Sequence, residues 1–324
     1  MEIQKIFAKF EGNATAPLPG LCMELLEEQK KNWPELAIAC RELANVLTRS
    51  VPCGSYDVFI QYNPQREVSS GAAVDKESIK NRPCFLCTAN LPAEQKGIVY
   101  HNDYFILCNP APIFDKHFTI AHRQHKLQSI NSSLVDFLEL AHDLAPELDI
   151  FYNGPACGAS APDHMHFQAI PAGQLPLLKN TDKQFRYIKE INGVNIYAGK
   201  NLDRSILLLE AKSAEQLENQ LRKVMQLLQK PLTTSEEPMI NAICSYAAAK
   251  WRVFIFLREK HRPDAFFAEG EKRIFISLGA IDMAGVIITP LIKDFNNLDA
   301  SLIRSIYQEV SLSEISLNRL IEEL

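Results

Sequence analysis

The run Asp163-His164-Met165-His166-Phe167-Gln168-Ala169-Ile170-Pro171 holds the residues best suited to chemistry. Read as a β-strand, its side chains alternate between two faces. His164, His166 and Gln168 share one, and the apolar Met165, Phe167 and Ala169 share the other. Such a strand packs one side on a core and lines a polar site with the other. Just upstream, Asn153-Gly154-Pro155-Ala156-Cys157-Gly158-Ala159-Ser160 is a loop of small residues whose backbone amides can approach an anion closely. A neutral His166 imidazole facing that loop can attack phosphorus, and amides from Gly158 to Ser160 can hold the negative oxygens. Gln168 can donate an N–H to a phosphate oxygen but cannot deliver a proton. This chemistry suits leaving groups that depart as stable anions, such as a phosphate or a sugar phosphate, and disfavours amines.

A second constellation begins at Cys84-Phe85-Leu86-Cys87, a spacing that lets two thiolates clasp one metal from a tight turn. A redox dithiol would sit at the head of a helix, and Pro92 close behind argues against that helix. Histidines should complete a Cys₂His₂ site: His164, with His125 or His122 from one short turn. A closed four-ligand zinc is structural and supplies no metal-bound hydroxide. His166 lies two residues beyond His164, roughly 7 Å along a strand, too far to share that ion comfortably.

Several elements must position these groups. Leu21 to Thr48 reads as helical with a break or restart at Pro34, and Tyr56–Tyr62 as a strand. Val68 to Lys80 is a polar surface excursion that can carry Arg66 toward a phosphate. Tyr104–Cys108 and His117–Ala121 read as strands, separated by the Asn109-Pro110-Ala111-Pro112 loop. A helix capped at Asn131 or Ser132 follows, then Asp149–Tyr152 leads into the small-residue loop. The order recurs in the second half: an Asn192-Gly193 hairpin, a strand at Ser205–Leu209, a helix opened by the Ser213–Gln216 capping box, Met239–Ile243, and a strand at Trp251–Leu257. This order implies an internal duplication in which Trp251–Leu257, lacking histidine, matches His164–Ile170. Ser277–Pro290 is a glycine-punctuated loop entering a strand, and two packing helices close the chain.

The 324 residues are 47% hydrophobic and 23% charged, which is enough for a core. A net charge of −5 offers no footprint for non-specific nucleic-acid binding, so an anionic substrate needs local cations. Lys116, Arg123, Arg258 and Arg262 are candidates. No apolar run reaches the roughly 20 residues that span a bilayer, and Met1–Ile6 opens no apolar leader. The eight scattered cysteines suit reduced thiols, so a cytoplasmic protein is expected.

His164-Met165-His166-Phe167-Gln168 resembles the His-x-His-x-Gln motif of the transferase branch of the histidine-triad superfamily. That branch holds galactose-1-phosphate uridylyltransferases, diadenosine tetraphosphate phosphorylases and GDP-hexose phosphorylases. The likeness extends to Asn109–Phe114, His117–Ile120, Asn153-Gly154 and Gly158-Ala159-Ser160. Ser277–Pro290 resembles the C-terminal domain of the dinucleoside-polyphosphate phosphorylases, while residues 1–55 and 172–235 lie outside the resemblance. Met165 stands where the uridylyltransferases have a proline, which is nearer the phosphorylases.

The resemblance implies an α+β fold of two histidine-triad-like halves, with antiparallel sheets and packed helices. The catalytic half would be residues 1–172, and a degenerate half would be residues 173–324. It implies a covalent nucleotidyl-His166 intermediate with Gln168 on the phosphate, and zinc on Cys84, Cys87, His125 and His164. Substrate-binding residues would be Asn109, Asn153, Gly154, Gly158, Ala159, Ser160 and Arg66. The substrate is expected to be a nucleotide or nucleotide sugar and the acceptor inorganic phosphate or a sugar phosphate, with neither nucleic acid nor membrane as partner. The alternatives are a hydrolase with a catalytic ion on Asp163, His164 and His166, and a non-catalytic nucleotide-binding protein.

Overall fold

Every residue is buried in the strands β6 (Phe118–His122), β7 (Leu148–Asn153) and β11 (Ile206–Ala211), as in Gly97–Tyr100, Tyr104–Cys108 and Val286–Thr289. Strands covered on both faces read as near-continuous apolar runs, and β6 and β7 lie near the middle of a large sheet. The computed structural model describes residues 2–12, 16–229 and 237–324. The other strands are β1 (Ile6–Phe10), β2 (Leu47–Pro52), β3 (Asp57–Tyr62), β4 (Gly97–Tyr100), β5 (Tyr104–Cys108), β8 (His166–Pro171), β9 (Phe185–Ile191), β10 (Val194–Gly199), β12 (Ile240–Ala247), β13 (Lys250–Leu257) and β14 (Val286–Thr289). An 11-stranded sheet runs β1-β4-β5-β6-β8-β7-β12-β13-β11-β10-β9, and a 3-stranded sheet runs β14-β3-β2. Pairing in the large sheet is antiparallel except for β1 with β4.

The internal duplication is visible in this order. The first half contributes β4-β5-β6-β8-β7 and the second β9-β10-β11-β13-β12, with a helix between the third and fourth strands of each: Leu134–Asp143 and Ala214–Leu228. The halves join where β7 pairs with β12, Phe151 lying opposite Ile243. Gln168 pairs with Thr119 and Phe151, and Phe254 pairs with Leu208 and Ile243. Register therefore puts Phe254 where the first half has Gln168, and Arg252 where it has His166. Strand β13 answers to the histidine strand as the sequence implies, but shifted by one residue, Lys250–Phe256 standing for His164–Ile170.

Each face of the sheet has its own core. Met165, Phe167 and Ala169 join the cluster beneath the helices Leu18–Asn32, Leu134–Asp143 and Ala214–Leu228. Phe151, Ile170, Phe254 and Phe256 join the opposite cluster, which is covered by the small sheet and the helix Ala300–Val310. Because β14 pairs with β3, the C-terminal segment reaches back across the first half.

Three local expectations need correction. The helical run from Leu21 to Thr48 restarts at Pro34 as expected, giving helices Leu18–Asn32 and Pro34–Glu42, but it ends short of Thr48. Leu47 and Thr48 belong to β2, where antiparallel pairing with β3 satisfies their backbone. The helix expected to be capped at Asn131 or Ser132 takes Ser133 as its N-cap. The strand bearing the histidines starts at His166, so His164 lies in the turn ahead of it. That turn is held by His164 N–H to Ala161 O and Met165 N–H to Lys126 O, which draw 161–164 away from the ladder, while the Met165 carbonyl still accepts from His122 N–H at 2.9 Å. Among the described residues no helix is long and apolar enough to cross a membrane.

Glu237 accepts from the Tyr152 hydroxyl at 2.7 Å and the Ile130 amide at 2.9 Å. Burial pushes its carboxyl up to about 7. The folded chain then holds a proton that the unfolded chain releases near 4.5, so stability falls as pH rises from about 4.5 to 7. Glu237→Gln should flatten that part of the stability–pH curve measured by urea unfolding; an unchanged slope would place the linkage elsewhere.

Candidate active site and metal centre

The metal candidates converge. Single ligand atoms from Cys84, Cys87, His125 and His164 all lie within 4.8 Å of one another. His164 Nδ1 is 3.2 Å from Cys84 Sγ and 3.6 Å from Cys87 Sγ, and His125 Nδ1 is 3.2 Å from Cys87 Sγ. Two thiols and two imidazoles packed this closely match a tetrahedral zinc set. His164 Nε2–H donates to the His122 carbonyl at 2.6 Å, which fixes the tautomer that leaves Nδ1 for a metal. His122 turns its own ring to Lys126 and the Gln124 backbone, so His125 stands in the cluster and His122 outside it. Asp163 pairs with Arg82 at 2.7 Å, behind the ligands.

His166 is buried, and its geometry is set by backbone. Its Nδ1–H donates to the His164 carbonyl at 2.8 Å, so the neutral ring carries its lone pair on Nε2. Burial lowers its pKa to about 4, which keeps the ring neutral at physiological pH. Gln128, which the sequence reading missed, clamps the start of the strand. Its Oε1 accepts from His166 N–H at 2.8 Å, and its Nε2 donates to the carbonyls of His166 (3.1 Å) and Asn153 (2.9 Å).

Gln168 is oriented by His117, which sequence reasoning took only as the start of a strand. The Ile113 amide donates to His117 Nδ1 at 3.2 Å, so the proton of the neutral ring is on Nε2. That Nε2–H donates to Gln168 Oε1 at 2.9 Å and leaves the Gln168 amide N–H groups for a substrate. Burial, reinforced by neighbouring Arg66, lowers His117 to about 3 and keeps this relay neutral.

A cleft beside these residues is lined by Arg66, Asn153, Gly158, Gln168, Gly279 and Asp282, among others. Arg66 donates to the Ala111 carbonyl at 2.8 Å, and burial lowers its pKa only to about 10, so it faces the cleft as a cation. Gly158 has φ +87°, and a Cβ there would stand 2.9 Å from the Leu278 carbonyl. Glycine is thus required by backbone conformation and by the approach of the C-terminal segment. A Cβ on Gly154 would meet the Ile240 carbonyl at 2.6 Å. Among the described residues, no group accepts a hydrogen bond from the amides of Gly158, Ala159 or Ser160.

Two expected contact residues also make scaffold bonds, and Asn153 lines the cleft as well. Asn109 donates to Thr119 Oγ1 (3.0 Å) and accepts from the Ala111 amide (3.0 Å), shaping its own loop. Asn153 Oδ1 accepts from Asn241 Nδ2 at 2.9 Å and the Ala280 amide at 2.7 Å, tying both halves to the C-terminal segment. Of the proposed cations, Arg258 is buried and spent on Asn241 Oδ1 and the carbonyls of Leu278, Lys260, His261 and Val310. Arg262 reaches Ser277 and the Ala72 carbonyl, and Arg123 binds Asn102. None of these three lines the cleft, nor does Lys116.

One zinc per chain is the expected metal content by plasma mass spectrometry. Cys84→Ser, Cys87→Ser, His125→Ala and His164→Ala should each lose it, and His122→Ala should retain it. Full zinc in His164→Ala would contradict the ligand set.

Residues 25–171 match a family model described as a domain of unknown function, DUF4922, and residues 178–323 match the GDPGP1-like C-terminal domain. No curated protein matches the chain. Among solved structures, yeast Ap4A phosphorylase Apa2 in complex with Ap4A superposes with a TM-score of 0.62 at 16% identity, covering 91% of this chain and 97% of that one. The same yeast enzyme in complex with AMP gives 0.55 at 14% identity, covering 89% and 96%. The chain is thus similar to the DUF4922 model over residues 25–171 and to the GDPGP1-like C-terminal domain over residues 178–323, and it shares the fold of the yeast Ap4A phosphorylase Apa2.

Proposed function

We propose that the protein is a nucleotidyltransferase of the phosphorylase type. It would pass a nucleoside monophosphate, through His166, from a nucleoside polyphosphate or nucleotide sugar to inorganic phosphate or a sugar phosphate. The observation that carries this reading is the 2.8 Å hydrogen bond from His166 Nδ1 to the His164 carbonyl, which leaves Nε2 as the nucleophile. The solved relative's complexes with Ap4A and AMP support a nucleotide substrate. On this reading residues 1–172 are the catalytic unit, and 173–324 form a second half without catalytic histidines.

In the first step the Nε2 lone pair forms a bond to the α-phosphorus. The P–O bond to the leaving group breaks, and the leaving phosphate takes the electron pair as a stable anion. The Gln168 amide and the amides of Gly158, Ala159 and Ser160 donate to the non-bridging oxygens, where charge shifts in the transition state. Arg66 offsets the charge of the phosphate chain. In the second step an acceptor oxygen attacks phosphorus and the P–N pair returns to Nε2. The proton stays on Nδ1 throughout, hydrogen-bonded to the His164 carbonyl, which stabilises the positive ring between steps.

Zinc on Cys84, Cys87, His125 and His164 would act as a structural brace for the segment that carries the His164 carbonyl. A hydrolase with its ion on Asp163, His164 and His166 has less support, since Asp163 is paired with Arg82 and the metal cluster excludes His166.

His166→Ala should lower phosphorolysis of nucleotide substrates roughly a thousandfold or more, with zinc content and thermal stability retained. His117→Ala should lower kcat about tenfold to a hundredfold with a smaller change in KM, because it frees the Gln168 amide to rotate. Wild-type turnover by His166→Ala would remove this reading.

A further inference from the structure

In the second half, the loop between β10 and β11 (200–205) is the counterpart of the first-half loop 109–117, which carries Asn109 and His117. It borders a cavity roofed by the helix Glu314–Glu323, lined by Arg186, Arg204, Ser311, Leu312 and Leu317 among others. Arg204 is only 8% exposed. Its guanidinium carbon lies 4.3 Å from the ring centre of Tyr307 and 4.8 Å from that of Tyr56. Ring faces stabilise the charge but leave in-plane N–H groups without acceptors. Arg204 Nε and Nη1 are both buried with no hydrogen-bond partner, and so is the hydroxyl of Ser311 in the same cavity. Buried donors are rarely left unmade.

The neighbouring acid does not supply the missing acceptor. Asp203 is engaged by the Tyr56 hydroxyl (3.1 Å), Arg304 Nε (2.9 Å) and Gln308 Nε2 (2.6 Å). Of the acids lining the cavity, Asp203 is ion-paired with Arg304 and Glu314 is exposed, which leaves the buried Arg204 without a carboxylate of its own. We propose that this cavity is a second anion site, separate from the catalytic cleft, that takes a small phosphate-bearing ligand on Arg204 and Ser311. Local opening admits the ligand, whose oxygens then complete the guanidinium and hydroxyl hydrogen bonds. Tyr307 spans the distance to the catalytic cleft: its ring packs on Arg204 and its hydroxyl donates to the Asp282 carbonyl at 2.6 Å.

The test is equilibrium dialysis of the full chain against radiolabelled inorganic phosphate, which reads occupancy without turnover. Arg204→Gln should bind one phosphate fewer per chain than wild type. Ser311→Ala, a milder change, should weaken that same site at least threefold while the circular dichroism spectrum is unchanged. Crystals soaked in tungstate should carry an anomalous peak beside Arg204. Equal phosphate stoichiometry and affinity in wild type and both variants would overturn the proposal, and so would tungstate found only at the Gly158 loop. A catalytic cleft that binds no phosphate would leave one wild-type site, still lost in Arg204→Gln, so the two readings fail separately.

Discussion

The active-site geometry depends on one backbone carbonyl. The His164 oxygen accepts the Nδ1 proton of His166, while the His164 ring faces Cys84, Cys87 and His125. A single residue thus contributes its side chain to a candidate metal set and its main chain to the tautomer of the neighbouring imidazole. His164 is itself anchored, since its Nε2 donates to the His122 carbonyl at the end of β6. Any brace on the cysteine–histidine cluster therefore acts on where the His166 lone pair points. Gln168 is governed in a similar way, because the Ile113 amide sets the tautomer of His117 and His117 sets the amide.

The duplicated topology explains why only one half holds this arrangement. In the first half the connection from β7 to β8 runs through residues 154–165, which supply the small-residue loop and His164. In the second half, β12 and β13 are joined by a turn through Ala248 and Ala249, both at positive φ. That turn has no room for an anion cradle or a metal ligand. The counterparts of Gln168 and His166 are Phe254, buried in the apolar core, and Arg252, paired with Glu210 at 2.9 Å. The second half still serves the site: Asn241 and the Ala280 amide both reach Asn153, and Arg258 holds Asn241 and the Leu278 carbonyl.

Much of this was legible in the residue order because it rests on periodicity and spacing. The alternation of Met165, Phe167 and Ala169 against His166 and Gln168, the Cys84–Cys87 spacing and the Asn192-Gly193 hairpin all act within a few residues of themselves. The limits of β8 were not legible, because the turn that detaches His164 is held by Lys126, far away in sequence. Gln128 and His117 were missed for the same reason. Gln128 lies in a coil with no repeating pattern, and the role of His117 exists only through the pairing of β6 with β8. The scaffold bonds of Asn109 and Asn153 were not legible either, because asparagine serves both turns and substrates and the partners of these side chains lie on other elements.

The central claim is that Nε2 of His166 forms a bond to phosphorus. It is tested most directly by brief incubation of the wild-type chain with nucleoside polyphosphates and nucleotide sugars, without acceptor, followed by intact-mass and peptide mass spectrometry at alkaline pH. The account predicts a mass gain of one nucleoside monophosphate, mapped to His166 and discharged on adding inorganic phosphate. A substrate that turns over with no adduct on His166, or an adduct on another residue, would contradict it.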